Sequence, residues 1–275
     1  MSSACDSCPS KNGCTSQDSC PSLNRKTNPD IKRVIGVASG KGGVGKSFVT
    51  SALAAKLARQ GYKVGIMDAD VTGPSIPRSF GLKGMLTGDG TGRIVPAVTK
   101  GGIEVVSLNL LLDNEQEPVI WRGPVIAGVV QQFWSDVEWG MLDVLLIDMP
   151  PGTGDVPLTV FQSVPVDGIV LVSTPQDLVS MIVGKAKNMA QKMNINILGL
   201  VENMSYIKCP HCDKEIPLFG DDVSLAKASD EAGLKILDRL PLDMMSTALV
   251  DGGRADEIGD GILENTVSSI MGINA

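Results

Sequence analysis

Aromatic side chains are scarce in this sequence: Phe, Trp and Tyr together make up 4% of its 275 residues. A surface that stacks the bases of single-stranded nucleic acid needs more of them. Positive charge is also short. The chain has 24 Lys and Arg against 31 Asp and Glu, a net charge of −7 and a pI near 4.8. General binding to nucleic acid or to anionic lipid needs clustered basic residues, so this balance argues against both. No uninterrupted apolar run is long enough to cross a bilayer. The first residues, Met1-Ser2-Ser3-Ala4-Cys5-Asp6, lack the basic region and apolar run of a secretory signal. The expectation is a cytoplasmic protein with no nucleic-acid and no membrane partner. In a reducing cytoplasm its six cysteines read as metal ligands or catalytic thiols before disulfides.

The chain is 43% hydrophobic, enough for one substantial core. Residues 1–30 stand apart. They carry Cys5, Cys8, Cys14 and Cys20 among Ser, Asn, Asp, Lys and Pro, with almost nothing to pack. The composition predicts a tail that gains structure only by binding metal. Residues 31–275 form the expected folded domain. Its apolar runs at 34–38, 63–67, 144–147, 169–173, 197–202 and 235–240 read as buried strands. Residues 48–60, 123–139, 177–193 and 224–232 read as helices, with Gly61 placed to cap the first. Strands alternating with helices predict an α/β fold: a doubly wound, mostly parallel sheet with helices on both faces. The Gly- and Thr-rich stretch 81–102 reads as a hairpin insertion.

Gly40-Lys41-Gly42-Gly43-Val44-Gly45-Lys46-Ser47 satisfies G-x-x-x-x-G-K-[ST] between a predicted strand and a predicted helix, the context the motif requires. Glycines let backbone N–H groups turn toward phosphates, and the helix N-terminus adds its positive dipole end. Lys46 is the candidate for the β- and γ-phosphates of ATP, and Ser47 for Mg²⁺. Phe48 follows directly and joins the nucleotide-binding candidates. Asp70 ends the segment after the second strand, and Asp148 ends a later one. A carboxylate at the C-terminal end of a parallel strand faces the ligand crevice, so Asp148 is the second Mg²⁺ candidate.

Cys209-Pro210-His211-Cys212 is the other strong feature. Two thiolates at this spacing converge on one metal, but a complete site needs about four ligands. A dimer meets that count at its two-fold axis. Four thiolates suit zinc or an iron–sulfur cluster. An inter-subunit disulfide or a redox pair also fits the spacing, although no thioredoxin-like pattern surrounds it. His211 reads as a spacer.

Lys41 is not required by the ordinary phosphate-loop motif. Lys41-Gly42-Gly43-Val44-Gly45-Lys46-Ser47 resembles the deviant Walker A sequence of the SIMIBI class, which includes MinD, ParA and the nitrogenase iron protein. With Trp121-Arg122-Gly123-Pro124, the segment Asp148-Met149-Pro150-Pro151-Gly152-Thr153-Gly154-Asp155, and Asn203-Met204-Ser205-Tyr206 before Cys209 and Cys212, the chain resembles the Mrp/ApbC family of iron–sulfur cluster carrier ATPases over residues 31–272. The resemblance implies a homodimer with two sandwiched nucleotides, in which Lys41 reaches the nucleotide of the facing copy. It implies that Asp70 positions the attacking water and that 148–155 senses the γ-phosphate. It places Asn203 and Pro241 near the adenine, and a 4Fe–4S cluster between the Cys209 and Cys212 pairs of two chains, for delivery to apo iron–sulfur proteins. Catalysis would then involve Lys41, Lys46 and Asp70, with slow hydrolysis of ATP.

Related scaffold proteins carry an N-terminal cluster motif in which a distant cysteine precedes C-x2-C-x5-C. Here Cys5, Cys8 and Cys14 keep that core spacing, but the extra cysteine, Cys20, follows it. An N-terminal cluster, a zinc site and a tail that holds nothing permanently are the readings this leaves. Three other readings compete for the whole chain. A spatial-organising ATPase of the MinD or ParA type needs a basic membrane or DNA-binding surface, whereas residues 254–275 hold Asp256, Glu257, Asp260 and Glu264 against one arginine. A nitrogenase-type donor places its bridging cysteines singly in two segments. A zinc-stabilised dimeric ATPase fits the thiol count as well as a cluster does.

Overall fold

Consecutive apolar runs can pair in parallel only if a crossover, usually a helix, carries the chain back to the starting edge of the sheet. The computed structural model describes residues 28, 30–70, 73, 75–88, 90, 92–111, 123–152, 154–175, 179–219 and 229–272. The strands are β1 (Val34–Ser39), β2 (Val64–Asp68), β3 (Thr87–Gly88), β4 (Ile94–Val95), β5 (Ala97–Val98), β6 (Glu104–Ser107), β7 (Val144–Asp148), β8 (Gly168–Ser173), β9 (Ile197–Lys208), β10 (Glu215–Pro217) and β11 (Ile236–Pro241). The helices are α1 (Lys46–Arg59), α2 (Ile76–Ser79), α3 (Gly123–Ser135), α4 (Asp155–Ser163), α5 (Val179–Lys192), α6 (Met244–Asp251) and α7 (Glu264–Met271).

Seven strands run parallel in the order β11–β9–β8–β1–β7–β2–β6. Antiparallel β5 extends the β6 edge, and antiparallel β10 pairs with the end of β9. The fold is thus the expected α/β architecture. From β1 the chain builds one half of the sheet through β2 and β6, inserts β7, then builds the other half through β8, β9 and β11. That reversal opens a crevice at the C-terminal ends of the strands beside β1. Alternate residues of the central strands feed two separate cores. Ile35, Val37 and Ile66 pack with Leu53 and Leu57 of α1, while Ala38, Ile147 and Leu171 pack with Phe133, Trp134 and Phe161 of α3 and α4.

Several boundaries differ from expectation. Helix α1 starts at Lys46, two residues before the expected start at 48, because Gly45 at φ 79 turns the chain directly into the first helical turn. Its end is as expected. Gly61 at φ 88 donates its N–H to Ala58 O at 3.0 Å, and Tyr62 donates to Leu57 O at 3.1 Å, a Schellman closure. The helix expected over 123–139 stops at Ser135, and Trp139 instead folds back so that its indole N–H donates to Phe133 O at 2.9 Å. The strand expected over 197–202 continues to Lys208, because β10 supplies partners for its polar second half. The expected hairpin in 81–102 is the small β3–β4 sheet. Helix α4, strand β6 and the C-terminal helices α6 and α7 were not anticipated. The expected tail over 1–30, with Cys5, Cys8, Cys14 and Cys20, lies outside the described residues apart from positions 28 and 30. Most of the helix expected over 224–232 also lies outside them, and residues 229–232 are helical. No helix among the described residues is long and apolar enough to cross a membrane.

One buried lysine ties α1 to the C-terminal segment. Lys56 is 1% exposed, and its ammonium donates to Asp260 O at 2.6 Å, Ile262 O at 2.7 Å and the Glu264 carboxylate. Removing the ammonium strands two carbonyls and loses a charge-assisted contact. Lys56→Met, which keeps the length of the side chain, is therefore expected to lower stability by about 2–3 kcal/mol. Urea denaturation followed by circular dichroism checks this, and an unshifted midpoint would show that water takes over the three contacts.

Candidate functional site

The loop between β1 and α1 is held from three sides. Ser39 Oγ donates to Lys41 O at 3.0 Å, Gly152 N–H donates to Ser39 O at 2.8 Å, and Asn203 Nδ2 donates to Val44 O at 2.9 Å. The last contact explains why position 45 must be glycine. Besides its positive φ, a Cβ there would sit 2.2 Å from Asn203 Nδ2. Residues Gly40 to Gly45 thereby form a fixed turn whose exit is the N-terminus of α1, with Lys46 and Ser47 in the first turn.

Behind this turn lies a dense group of charges. Lys46 is 6% exposed, and its Nζ is 2.8 Å from Asp148 Oδ2 and 3.6 Å from Asp70 Oδ2. Ser47 Oγ donates to Asp148 Oδ2 at 2.6 Å, and Thr50 Oγ1 donates to Asp148 Oδ1 at 2.7 Å. Asp148 ends β7, directly opposite Asp68 at the end of β2. Asp68 accepts from Ser107 Oγ at 3.1 Å and from the Asp70 N–H at 3.1 Å. Burial, then the neighbouring Asp148 charge, raise the Asp68 pKa well above the ordinary carboxylate range; Lys46 and the two hydrogen bonds oppose this without cancelling it. The structure thus brings together Lys46, Ser47, Asp70 and Asp148 from three separate stretches of sequence. It adds Asp68 and Thr50, which sequence reasoning passed over. Asp68 was visible as the first acid of Met67-Asp68-Ala69-Asp70, and Thr50 lies one helical turn beyond Lys46. Lys41 sits half-buried on the loop, Thr153 is outside the described residues, and Asp155 opens α4.

A cavity of about 160 Å³ adjoins the loop, lined by Phe48, Asn203, Met204, Pro241, Leu242, Asp243 and Thr247. Phe48, Asn203 and Pro241 come together here from α1, β9 and β11. The other four were not anticipated. Met204 adopts φ 54, a conformation uncommon for a long side chain, beside a register shift between β9 and β11. Asp243 caps α6: its carboxylate accepts from the Met245 N–H at 3.2 Å, the Ser246 N–H at 2.8 Å and Ser246 Oγ at 2.6 Å.

The cysteine pair lies at the tip of the β9–β10 hairpin. Cys209 N–H donates to Lys214 O at 2.9 Å, and Asp213 N–H donates to Cys209 O at 3.0 Å. Both thiols are free; Cys209 is partly covered and Cys212 exposed. The N–H groups of His211 and Cys212, and then the Cys212 thiol, donate to Cys209 Sγ and lower its pKa. His211 is exposed at the turn. No group of three or more His, Cys, Asp or Glu is arranged for a metal ion among the described residues, so this hairpin supplies two thiols and no third ligand of its own. The expected Trp121 and Arg122 lie outside the described residues, and Gly123 and Pro124 open α3.

The Asp243 cap gives the pocket wall a pH dependence. Partial burial raises this carboxyl's pKa, but the Ser246 and Met245 donors outweigh it and bring it below the ordinary 3.8. A depressed folded pKa contributes stability that is present above the unfolded value and lost as pH falls through the folded one. Asp243→Ala is expected to cost about 1 kcal/mol near neutral pH. The gap from wild type should narrow as pH drops below 3.8. Thermal unfolding at a series of pH values measures this, and a gap that stays constant would contradict the assignment.

Comparison with known proteins agrees with this geometry. Residues 30–271 match the family model described as ParA, NUBPL iron-transfer P-loop NTPase. An iron–sulfur cluster carrier protein of Clostridium perfringens is 46% identical, over 98% of both chains. A protein of the same name from Methanocaldococcus jannaschii is 46% identical, over 90% of this chain and 87% of its own. Among solved structures, a nucleotide-binding protein of Archaeoglobus fulgidus in complex with ADP is 44% identical, with a TM-score of 0.74 over 84% of this chain and 90% of that one. The cell division ATPase MinD of Pyrococcus furiosus, at 21% identity and a TM-score of 0.61 over 87% of this chain and 98% of that one, shares the fold. On its fold, its phosphate loop and these matches, the chain belongs to the NUBPL iron-transfer P-loop NTPase family.

Proposed function

We propose that this chain is an ATP-dependent iron–sulfur cluster carrier that works as a homodimer, holds a 4Fe–4S cluster between two copies of the Cys209 and Cys212 pair, and delivers it to apo-proteins. The observation that carries the reading is the hairpin. It presents two free thiols just beyond the end of the strand that brings Asn203 to the phosphate loop. Two copies meet the four-thiolate requirement of a cluster. The names of the Clostridium and Methanocaldococcus relatives support the cargo. We assign it to the cytoplasm, and its acidic balance supports a protein without nucleic-acid or membrane partners. We assign residues 1–30 as a second metal-binding segment through Cys5, Cys8, Cys14 and Cys20, and 31–275 as the nucleotide-binding domain.

At the nucleotide, the backbone N–H groups of Gly40 to Gly45 cradle the phosphates and Lys46 bonds the β- and γ-phosphates. Phe48, Asn203 and Pro241 enclose the adenine. Asp70 orients the attacking water, and Lys41 of the facing copy stabilises the charge that develops. The Ser47 hydroxyl and the Asp148 carboxylate are hard oxygen donors and suit Mg²⁺, which would neutralise phosphate charge there. A cation is needed at that point for a local reason. When Lys46 turns toward the phosphates, buried Asp148 loses its ammonium partner, which lies 2.8 Å from its Oδ2. Hydrolysis is slow because its use is to change how two chains face each other.

Anaerobic reconstitution with iron and sulfide tests the reading. Wild-type protein is expected to take up a cluster and pass it to an apo-acceptor. If replacing both Cys209 and Cys212 by Ala leaves cluster content and transfer unchanged, the bridging assignment is wrong, and zinc in place of iron in anaerobically isolated protein favours a structural metal. A second measurement addresses the nucleotide. Removing Mg²⁺ is expected to weaken ATP binding by roughly tenfold in the wild type and by much less in Asp148→Asn. Calorimetric titration with and without chelator reads this directly, and equal Mg²⁺ dependence in both proteins would remove Asp148 from the metal site.

A further inference from the structure

Strand β9 breaks its own pattern beside the phosphate loop. Side chains along a strand alternate between the two faces of its sheet. Val201 packs in the core on the α1 side, and Leu200 in the core on the other. Asn203 keeps to the Val201 side and reaches the loop at Val44 O. Regular alternation would send Met204 to the Leu200 side. Met204 instead lines the cavity together with Asn203 and with Phe48 of α1. Its Cε lies 3.4 Å from where a Cβ on Gly45 would be. The break has a visible cause. Met204 adopts φ 54, in the left-handed region that residues other than glycine seldom enter. Pairing with β8 ends at Glu202. From there β9 takes four steps to Tyr206 while β11 takes two, from Arg239 to Pro241. The strand therefore bulges around Met204, where the cavity and the loop meet.

We propose that Met204 is a positioning residue for the nucleotide and acts through its left-handed backbone: the bulge it makes in β9 holds the Asn203 amide on the phosphate loop and turns position 204 into the cavity beside it. This rests on the nucleotide reading of the site given above. A bulge re-aims side chains at the cost of a strained residue. Here it lets two consecutive residues serve one site. With residue 204 extended, its side chain would turn to the far face and the segment from 203 to 205 would shift against β11. The Asn203 amide, whose Nδ2 is 2.9 Å from Val44 O, would then leave the carbonyl that directly precedes Gly45 and Lys46. The loop would keep its bonds from Ser39 Oγ to Lys41 O and from Gly152 N–H to Ser39 O, and lose the hold nearest the helix. The thioether itself is secondary. Glycine and asparagine accept a positive φ and keep the bulge without it, whereas a β-branched residue opposes that conformation.

Calorimetric titration of the full chain with ATP and Mg²⁺, and with tripolyphosphate and Mg²⁺, tests this, because tripolyphosphate fills the loop without a base. Met204→Gly and Met204→Asn are expected to keep both affinities within about threefold of the wild type. Met204→Val is expected to weaken both by roughly tenfold. Packing by the thioether predicts the opposite order, since Gly removes more of the side chain than Val does. Weaker binding by Met204→Gly than by Met204→Val therefore overturns the proposal. So does a Met204→Val protein that unfolds at lower temperature yet binds both ligands as the wild type does, because position 204 then serves stability alone. A loss confined to ATP overturns the hold on the loop. Met204→Thr, also β-branched but smaller in its apolar bulk, takes the place of Met204→Val if that variant does not fold. If the wild type binds neither ligand, the nucleotide reading fails and this one with it. If the wild type binds both and every variant matches it, only the positioning role fails.

Discussion

A single buried carboxylate, Asp148, organises the nucleotide side of this molecule. It accepts hydroxyl hydrogen bonds from Ser47 and Thr50 and pairs with the Lys46 ammonium. An uncompensated charge at that depth would be prohibitive, so loop, helix and strand end must stay in register for the site to exist. The β2–β7 pairing then forces Asp68 beside it, which accounts for the raised pKa of that second acid. Lys46 is thus held by carboxylates. Phosphates entering such a loop compete with Asp148 and Asp70 for Lys46.

Strand β9 links this chemistry to the cysteines. Its middle carries Asn203 into the loop and Met204 into the adjoining cavity, and its last residue, Lys208, directly precedes Cys209. Between them the pairing with β11 slips, and Pro241 pairs with Tyr206. A displacement at the cavity wall therefore has only a few residues of paired strand to cross before it reaches the thiols.

How much of this was legible in the sequence depends on how local each feature is. The phosphate loop is contiguous, and its position between strand and helix follows from composition alone. Asp148 is marked by the apolar run that it terminates. Asp68 was overlooked because its burial comes from the opposing strand and from Ser107, neither of which is near it in sequence. Asn203 and Pro241 were reached only through resemblance, since the cavity joins α1, β9, β11 and the start of α6. The second half of β9 is polar and carries no strand pattern, and it becomes a strand because β10 pairs with it. Helix α4 was hidden by Pro157, which a first helical turn tolerates.

The central claim is that two chains share one cluster through the hairpin thiols. Native mass spectrometry of anaerobically loaded protein, with Cys5, Cys8, Cys14 and Cys20 replaced by Ser, tests it most directly. The account predicts a species of two chains carrying one 4Fe–4S cluster, and no cluster on the single chain. A complete cluster on one chain, or dimers that form with no cluster uptake at all, would contradict it.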